Sequence, residues 1–304
     1  MPLANLGLLA LLGAMFGSAF LFTRVATPFF GPILLVDLRV LLAAGVLLIW
    51  LLATRQNLSF RRPLRHWIWL GALNAAAPFT LLAWAALHLT AALASILIAT
   101  LPLFTSIVSA VWLRQRLSAR QLAGLLLGFC GVGVLGGGSG SGLTAASVPA
   151  IVAVLLASLF YAIGSLYAKH HFAEVPRLTL AIGNFLAAGL LLLPLNLVTP
   201  LPALPTMSTA LALLALVVVS TVLPFVLYFR LIHQAGTVTA TSVAFLVPAF
   251  GAVWGTVFLA EPVTSSMLVG FGLIIPSIVL VTGMAGGGLR LPQGTSRFWI
   301  FHRS

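Results

Sequence analysis

Apolar runs of about 20 residues recur ten times along this chain with only short breaks between them, and that recurrence leaves few folds open. An α-helix needs about 20 apolar residues to cross roughly 30 Å of hydrocarbon. Lipid offers backbone groups no hydrogen-bonding partner, so only helices and closed barrels can span it. Barrel strands would show short segments of alternating polarity, and these runs do not alternate. The chain therefore reads as an all-α polytopic membrane protein. Its ten transmembrane helices are expected at residues 3–23, 32–53, 66–87, 91–112, 118–136, 147–169, 178–198, 208–231, 237–259 and 264–285. Composition agrees: 61% of the 304 residues are hydrophobic and 6% charged, against about 25% charged in a soluble domain. The first run lacks a basic leader and nine more follow it, so a retained helix is expected rather than a cleaved signal.

The formal net charge of +12 is spread over many short connections, so nucleic acid is not an expected partner. Of the fifteen Lys and Arg residues, all but Arg24 and Arg39 fall in or beside alternate connections and in the C-terminal tail. By the positive-inside rule those connections and both termini are cytoplasmic. Residues 24–31, 88–90, 136–146, 199–207 and 260–263 then face outward. The excess of Arg over Lys and the Ala, Leu and Gly bias point to a bacterial inner membrane. Cys130 is the single cysteine, so neither a disulfide nor a cysteine metal site is expected.

The chain repeats itself. Shifted by 146 residues, Asn74 falls on Ser220, Pro78-Phe79 on Pro224-Phe225, Ser95 on Thr241, Pro102 on Pro248, Ser118 on Thr264 and Gly124 on Gly270. A shift of 145 places Phe16-Gly17 on Tyr161-Ala162, Arg24 on Lys169 and Arg39 on Asn184. The expected organisation is a five-helix repeat at 1–140, a second at 147–285 and a cytoplasmic tail at 286–304, with Gly136–Gly142 as the join. Five is odd, so the second copy enters the membrane upside down. Inverted repeats give two near-equivalent packings, the basis of alternating access in secondary transporters.

Phe16-Gly-Ser-Ala-Phe20 followed by Arg24, the helix 2 stretch at Arg39, and the paired passages Pro102 to Gly124 and Pro248 to Gly270 with Ala260-Glu261-Pro262-Val263-Thr264 carry a family likeness. Together they resemble the EamA-type branch of the drug/metabolite transporter superfamily, over nearly the whole chain. One departure is that Gln115 stands in the first half where Glu261 stands in the second. The resemblance implies export of small metabolites such as amino acids or drugs through a cavity between the halves. It leaves the substrate open, since the superfamily also includes sugar and nucleotide-sugar carriers.

Candidates for lining that cavity are the repeat-matched prolines Pro78, Pro102, Pro224 and Pro248, which interrupt helices and free carbonyls. Helical spacing adds Ser95 on helix 4, Thr241 and Phe245 on helix 9, Asn74 on helix 3, Tyr228 on helix 8, and Tyr161 and Ser165 on helix 6. Phe16 of the helix 1 signature joins them. Packing kinks and hydroxyls bonded to their own helix are the structural alternative. Asp37 and Arg39 are the intramembrane charges, and such residues are functional candidates by default. Their alternative is an Arg39 that snorkels outward and an Asp37 that caps or pairs near the outer surface with Arg24. Glu261 is expected to favour the start of helix 10 through the helix dipole.

No phosphate-binding loop or soluble domain accompanies the helices, and the three acids, Asp37, Glu174 and Glu261, are scattered. A membrane enzyme, with metal or cofactor, is therefore not expected. A channel would show charge rings or filter loops, and neither is present. Carriers of phosphate-linked sugars should need several buried cations, where the sequence offers Arg39.

Overall fold

A computed structural model describes residues 3–56, 58, 60, 62–112, 114, 117–137, 147–196, 205–228, 230–231, 234 and 243–282. Ten helices make up the described fold. They are α1 (Leu3–Phe30), α2 (Pro32–Ala53), α3 (Leu64–Ala85), α4 (Ala91–Trp112), α5 (Ala119–Gly137), α6 (Ser147–His171), α7 (Arg177–Asn196), α8 (Met207–Tyr228), α9 (Val243–Leu259) and α10 (Ser265–Thr282). Seven are long and apolar enough to cross a membrane, and α5, α9 and α10 are shorter apolar helices. Side chains are distributed as lipid demands. Ile49, Leu52, Val111 and Leu126 are each at least 65% exposed, whereas the α2–α7 contact buries Ala43, Ala44, Ala181 and Ala188. Small residues let helix backbones approach where no water drives them together.

The helices pair about a pseudo-twofold axis. α2 packs on α7, α4 on α9 and α5 on α10, each helix against its own repeat-mate. The rest exchange partners: α1 packs on α8 and α9, and α6 packs on α3 and α4. Backbone contact is close enough to need glycine at two of these crossings. A Cβ on Gly17 would lie 2.9 Å from the Gly251 nitrogen in the α1–α9 contact. One on Gly131 would lie 3.0 Å from the Gly270 carbonyl oxygen in the α5–α10 contact.

The repeat reaches into backbone detail. A π turn occupies Ala72–Ala76 in α3 and another Val218–Val222 in α8, at the same 146-residue spacing. The Ala77 N–H reaches back to the Ala72 carbonyl, and the Leu223 N–H to Val218. Pro78 and Pro224 follow directly. Proline has no N–H to offer the residue four before it, and its ring crowds that carbonyl, here Asn74 or Ser220. The widened turn relieves the clash. In α4 the proline acts differently: turns at Ala99–Thr100, bonded Ala99 to Ile96 and Thr100 to Leu97, interrupt the helix ahead of Pro102. Its mate Pro248 sits inside a continuous α9.

Two expectations need correction. The first helix does not end at Thr23; it continues through Arg24 and Pro28 to Phe30, and Gly31, at φ 73°, makes the break. Arg24 tolerates a helical position because its guanidinium donates to the Ala86 carbonyl and pairs with Glu261 at 3.7 Å. Asp37 accordingly does not pair with Arg24. It is buried and accepts a 2.5 Å hydrogen bond from the Asn196 amide at the end of α7.

Candidate functional site

A cavity of about 620 Å³ lies among α1, α2, α3, α4, α6, α7, α8 and α9. It reaches from Thr90 and Ala91 at the start of α4 to Ala168 and Arg177, where α6 gives way to α7. Its wall is mostly apolar. The polar groups bordering its middle are Arg39, Asn74, Tyr161, Asn184, Ser220 and Thr221.

These residues come in repeat-matched pairs. Phe16 and Tyr161, Arg39 and Asn184, Asn74 and Ser220, and Phe79 and Phe225 all border the cavity. The void therefore straddles the pseudo-twofold axis. The chemistry on either side of the axis is unequal. Arg39 carries a charge where its mate is an amide, and Tyr161 a hydroxyl where its mate is Phe16. Arg39 does not snorkel away. Its Nε donates to Thr221 Oγ1 at 3.0 Å, and its guanidinium carbon stands 4.0 Å from the centre of the Phe79 ring, a cation–π arrangement. Tyr161 meets the same Phe79 edge-on, with centroids 6.0 Å apart. Ser220 is tied to Ser18 of α1 by a 2.8 Å hydroxyl–hydroxyl bond. Asn74, its mate, packs close to Gly164 of α6, where an added Cβ would lie 3.1 Å from Asn74 Cβ. Among the described residues no hydrogen bond involves the Asn74 amide.

Phe16, Asn74, Tyr161 and Arg39 thus border the cavity, and the other described candidates lie elsewhere. Tyr228 stands behind Phe16, edge-on at 6.4 Å. Pro78 and Pro224 are buried beside their π turns. Ser95 is fully buried in the α4–α9 contact, where its hydroxyl bonds the Ala92 and Pro248 carbonyls at 2.8 and 3.3 Å. Ser165 bonds the Tyr161 and Ala162 carbonyls of its own helix. Phe245 packs into the apolar cluster around Ile96 and Ile274. Pro248 borders a separate small void of about 160 Å³, and Pro102 is partly buried after the α4 interruption. Thr241 lies outside the described residues. Sequence reasoning passed over Phe79, Asn184, Thr221, Phe225 and Arg177. Three of these were within reach, since Asn184 is the repeat-mate of Arg39, Phe225 adjoins Pro224, and Thr221 adjoins Ser220, the repeat-mate of Asn74.

Ion pairs mark the two ends of the bundle. At one, Glu261 Oε2 accepts the Ala91 N–H at 2.8 Å while Oε1 faces Arg24. The helix N-terminus that receives this carboxylate is that of α4, not α10 as the sequence suggested. Burial pushes the Glu261 carboxyl above its ordinary value, against the Ala91 and Ala92 N–H groups and Arg24, which lower it. At the other end Arg62 and Glu174 pair at 3.7 Å, bringing the α2–α3 connection beside the α6–α7 turn.

The sequence profile of the EamA-like transporter family matches residues 5–137 and again residues 148–283. The chain belongs to the EamA-like transporter family. The Uncharacterized inner membrane transporter YedA of Escherichia coli strain K12 is 29% identical over 292 residues, covering 90% of this chain and 91% of that one. A protein of Streptantibioticus cattleyicolor named "Probable terminal-alkyne amino-acid exporter" is 28% identical over 213 residues, covering 69% and 70%. A crystal structure shares 22% identity and a TM-score of 0.64, covering 91% of this chain and 96% of that one; that likeness extends to the fold. Membership of a transporter family makes this an integral membrane protein whose work is moving small molecules.

Proposed function

We propose that this EamA-like protein is a secondary transporter of a bacterial inner membrane. It exports small neutral or amphipathic metabolites, amino acids or drugs, by alternating access. The observation that carries the reading is the cavity bordered by repeat-matched residues: a void on the pseudo-twofold axis can be opened to either side as the halves rock. The moving units are residues 1–140 and 147–285, and both termini are cytoplasmic. The name of the Streptantibioticus relative supports the amino-acid or amino-acid-like class. A carrier of phosphate-linked sugars is the second reading, favoured by the two cations, Arg39 and Arg177, at one cavity. The phenylalanine-rich wall speaks against it, because a sugar would leave most hydroxyls unmatched.

Proteoliposomes loaded with an unlabelled solute should take up the labelled one faster than empty vesicles. Saturable counterflow of this kind separates a carrier from a channel or an enzyme. Tyr161→Ala is expected to raise the half-saturation concentration severalfold at normal expression. Identical kinetics for Tyr161→Ala and the parent across a metabolite panel would remove Tyr161 from the pocket.

A further inference from the structure

The cavity holds a guanidinium that the rest of the protein leaves largely unsatisfied. Arginine presents five N–H donors in a planar fork. Among the described residues only Nε of Arg39 finds an acceptor, the Thr221 hydroxyl, while Phe79 covers the flat face. The two Nη groups find none. No acid neutralises the charge. Asp37 is held by Asn196, Glu174 pairs with Arg62 and Glu261 with Arg24, and none of the three borders the cavity. Its repeat-mate Asn184, on α7, borders the same cavity; it is 6% exposed, and its Oδ1 lacks a hydrogen-bond partner among the described residues. An unpaired cation in a largely apolar setting is costly, and it is retained where a ligand supplies the counter-charge.

We infer that the transported solute is an organic monocarboxylate, its carboxylate gripped by the free edge of the Arg39 fork and its apolar body laid against Phe16, Tyr161 and Phe225. This rests on the transporter reading above and narrows its substrates to amphipathic anions, setting the amino acids aside. A carboxylate matches the spacing of two parallel guanidinium N–H groups and cancels one charge with one. A phosphate monoester brings about two charges to a single cation at that depth, with Arg177 placed at the α6–α7 end. A zwitterionic amino acid would bring an ammonium group to a wall that has no carboxylate to receive it. The volume admits an aromatic or medium-chain acid with room to spare.

Equilibrium binding to the purified protein separates these classes without relying on transport. Phenylacetate is expected to bind at least roughly tenfold tighter than phenylacetamide, phenylalanine or phenyl phosphate, the factor one charge-assisted pair commands. Arg39→Gln should abolish the preference over phenylacetamide, and Arg39→Lys should retain part of it. Equal binding of phenylacetate and phenylacetamide by the unaltered protein overturns the proposal whether or not the variants fold. So does tighter binding of the phosphate or the amino acid, or no binding of phenylacetate, indole-3-acetate and hexanoate at millimolar concentration. Carboxylate-selective binding without counterflow would keep the anchor and remove the transporter reading. Counterflow of phenylacetamide with no carboxylate preference would do the reverse.

Discussion

Glu261 joins three parts of the chain that are far apart in sequence. One oxygen accepts the first N–H of α4 and the other faces Arg24 of α1, while the residue itself lies in the turn between α9 and α10. Its titration follows from that burial. The folded protein holds the Glu261 proton more tightly than the unfolded chain, because desolvation raises the carboxyl above its ordinary 4.5. The contribution to stability is therefore complete below that value and lost as pH rises through the raised one. Thermal unfolding in detergent should show a midpoint that declines through this window. Glu261→Gln cannot titrate and is expected to flatten the decline; an unchanged slope would assign it to other groups.

At the scale of elements, the helices were legible because hydrocarbon demands length and apolarity, and both can be counted. The end of α1 was not. Arg24 looks like a loop residue in one dimension and becomes a helical one when Ala86 and Glu261 satisfy it. The prolines were legible as interruptions, but the kind of interruption depends on the neighbours: π turns at Pro78 and Pro224, a short interruption ahead of Pro102, a continuous helix at Pro248. Packing makes its own prediction. A Cβ on Gly17 would meet Phe250 Cβ at 2.8 Å and the Gly251 nitrogen at 2.9 Å. Gly17→Ala should thus destabilise the α1–α9 contact by about 1–3 kcal/mol through overpacking, read as a lower unfolding midpoint. Gly7 has nothing within 4 Å of the same atom. Gly7→Ala should be neutral or raise the midpoint, since alanine is favoured over glycine in a helix by about 1 kcal/mol. A Gly17→Ala midpoint equal to that of the parent would show that α9 can yield at no cost.

For the whole molecule, orientation in the membrane is the reading with the widest consequence. The α2–α3 connection meets the α6–α7 turn where Arg62 pairs with Glu174, and α1, the α3–α4 turn and the α9–α10 turn meet where Arg24 pairs with Glu261. In a Cys130→Ser background, a cysteine at Gly140 is expected to react with an impermeant thiol reagent outside intact cells, and one at Arg61 only after permeabilisation. The opposite pattern would invert the topology and exchange inward-facing for outward-facing in every statement about transport direction.

The sequence by itself determined the helix count, the five-plus-five repeat and the family, because each is written in local hydropathy or in matched residues at a fixed offset. It also singled out Arg39, whose charge stands out against hydrocarbon wherever it points. Which polar side chains face the cavity was decided only by tertiary structure. Ser95, Ser165, Asn74 and Ser220 are all polar positions on apolar helices in the sequence. Ser95 and Ser165 spend their hydroxyls on carbonyls, Ser220 is tied to Ser18, and Asn74 borders the cavity with no hydrogen bond to its amide among the described residues. A hydroxyl in a helix can be satisfied by its own backbone or by a neighbouring helix, and the chain alone does not say which until the helices have packed.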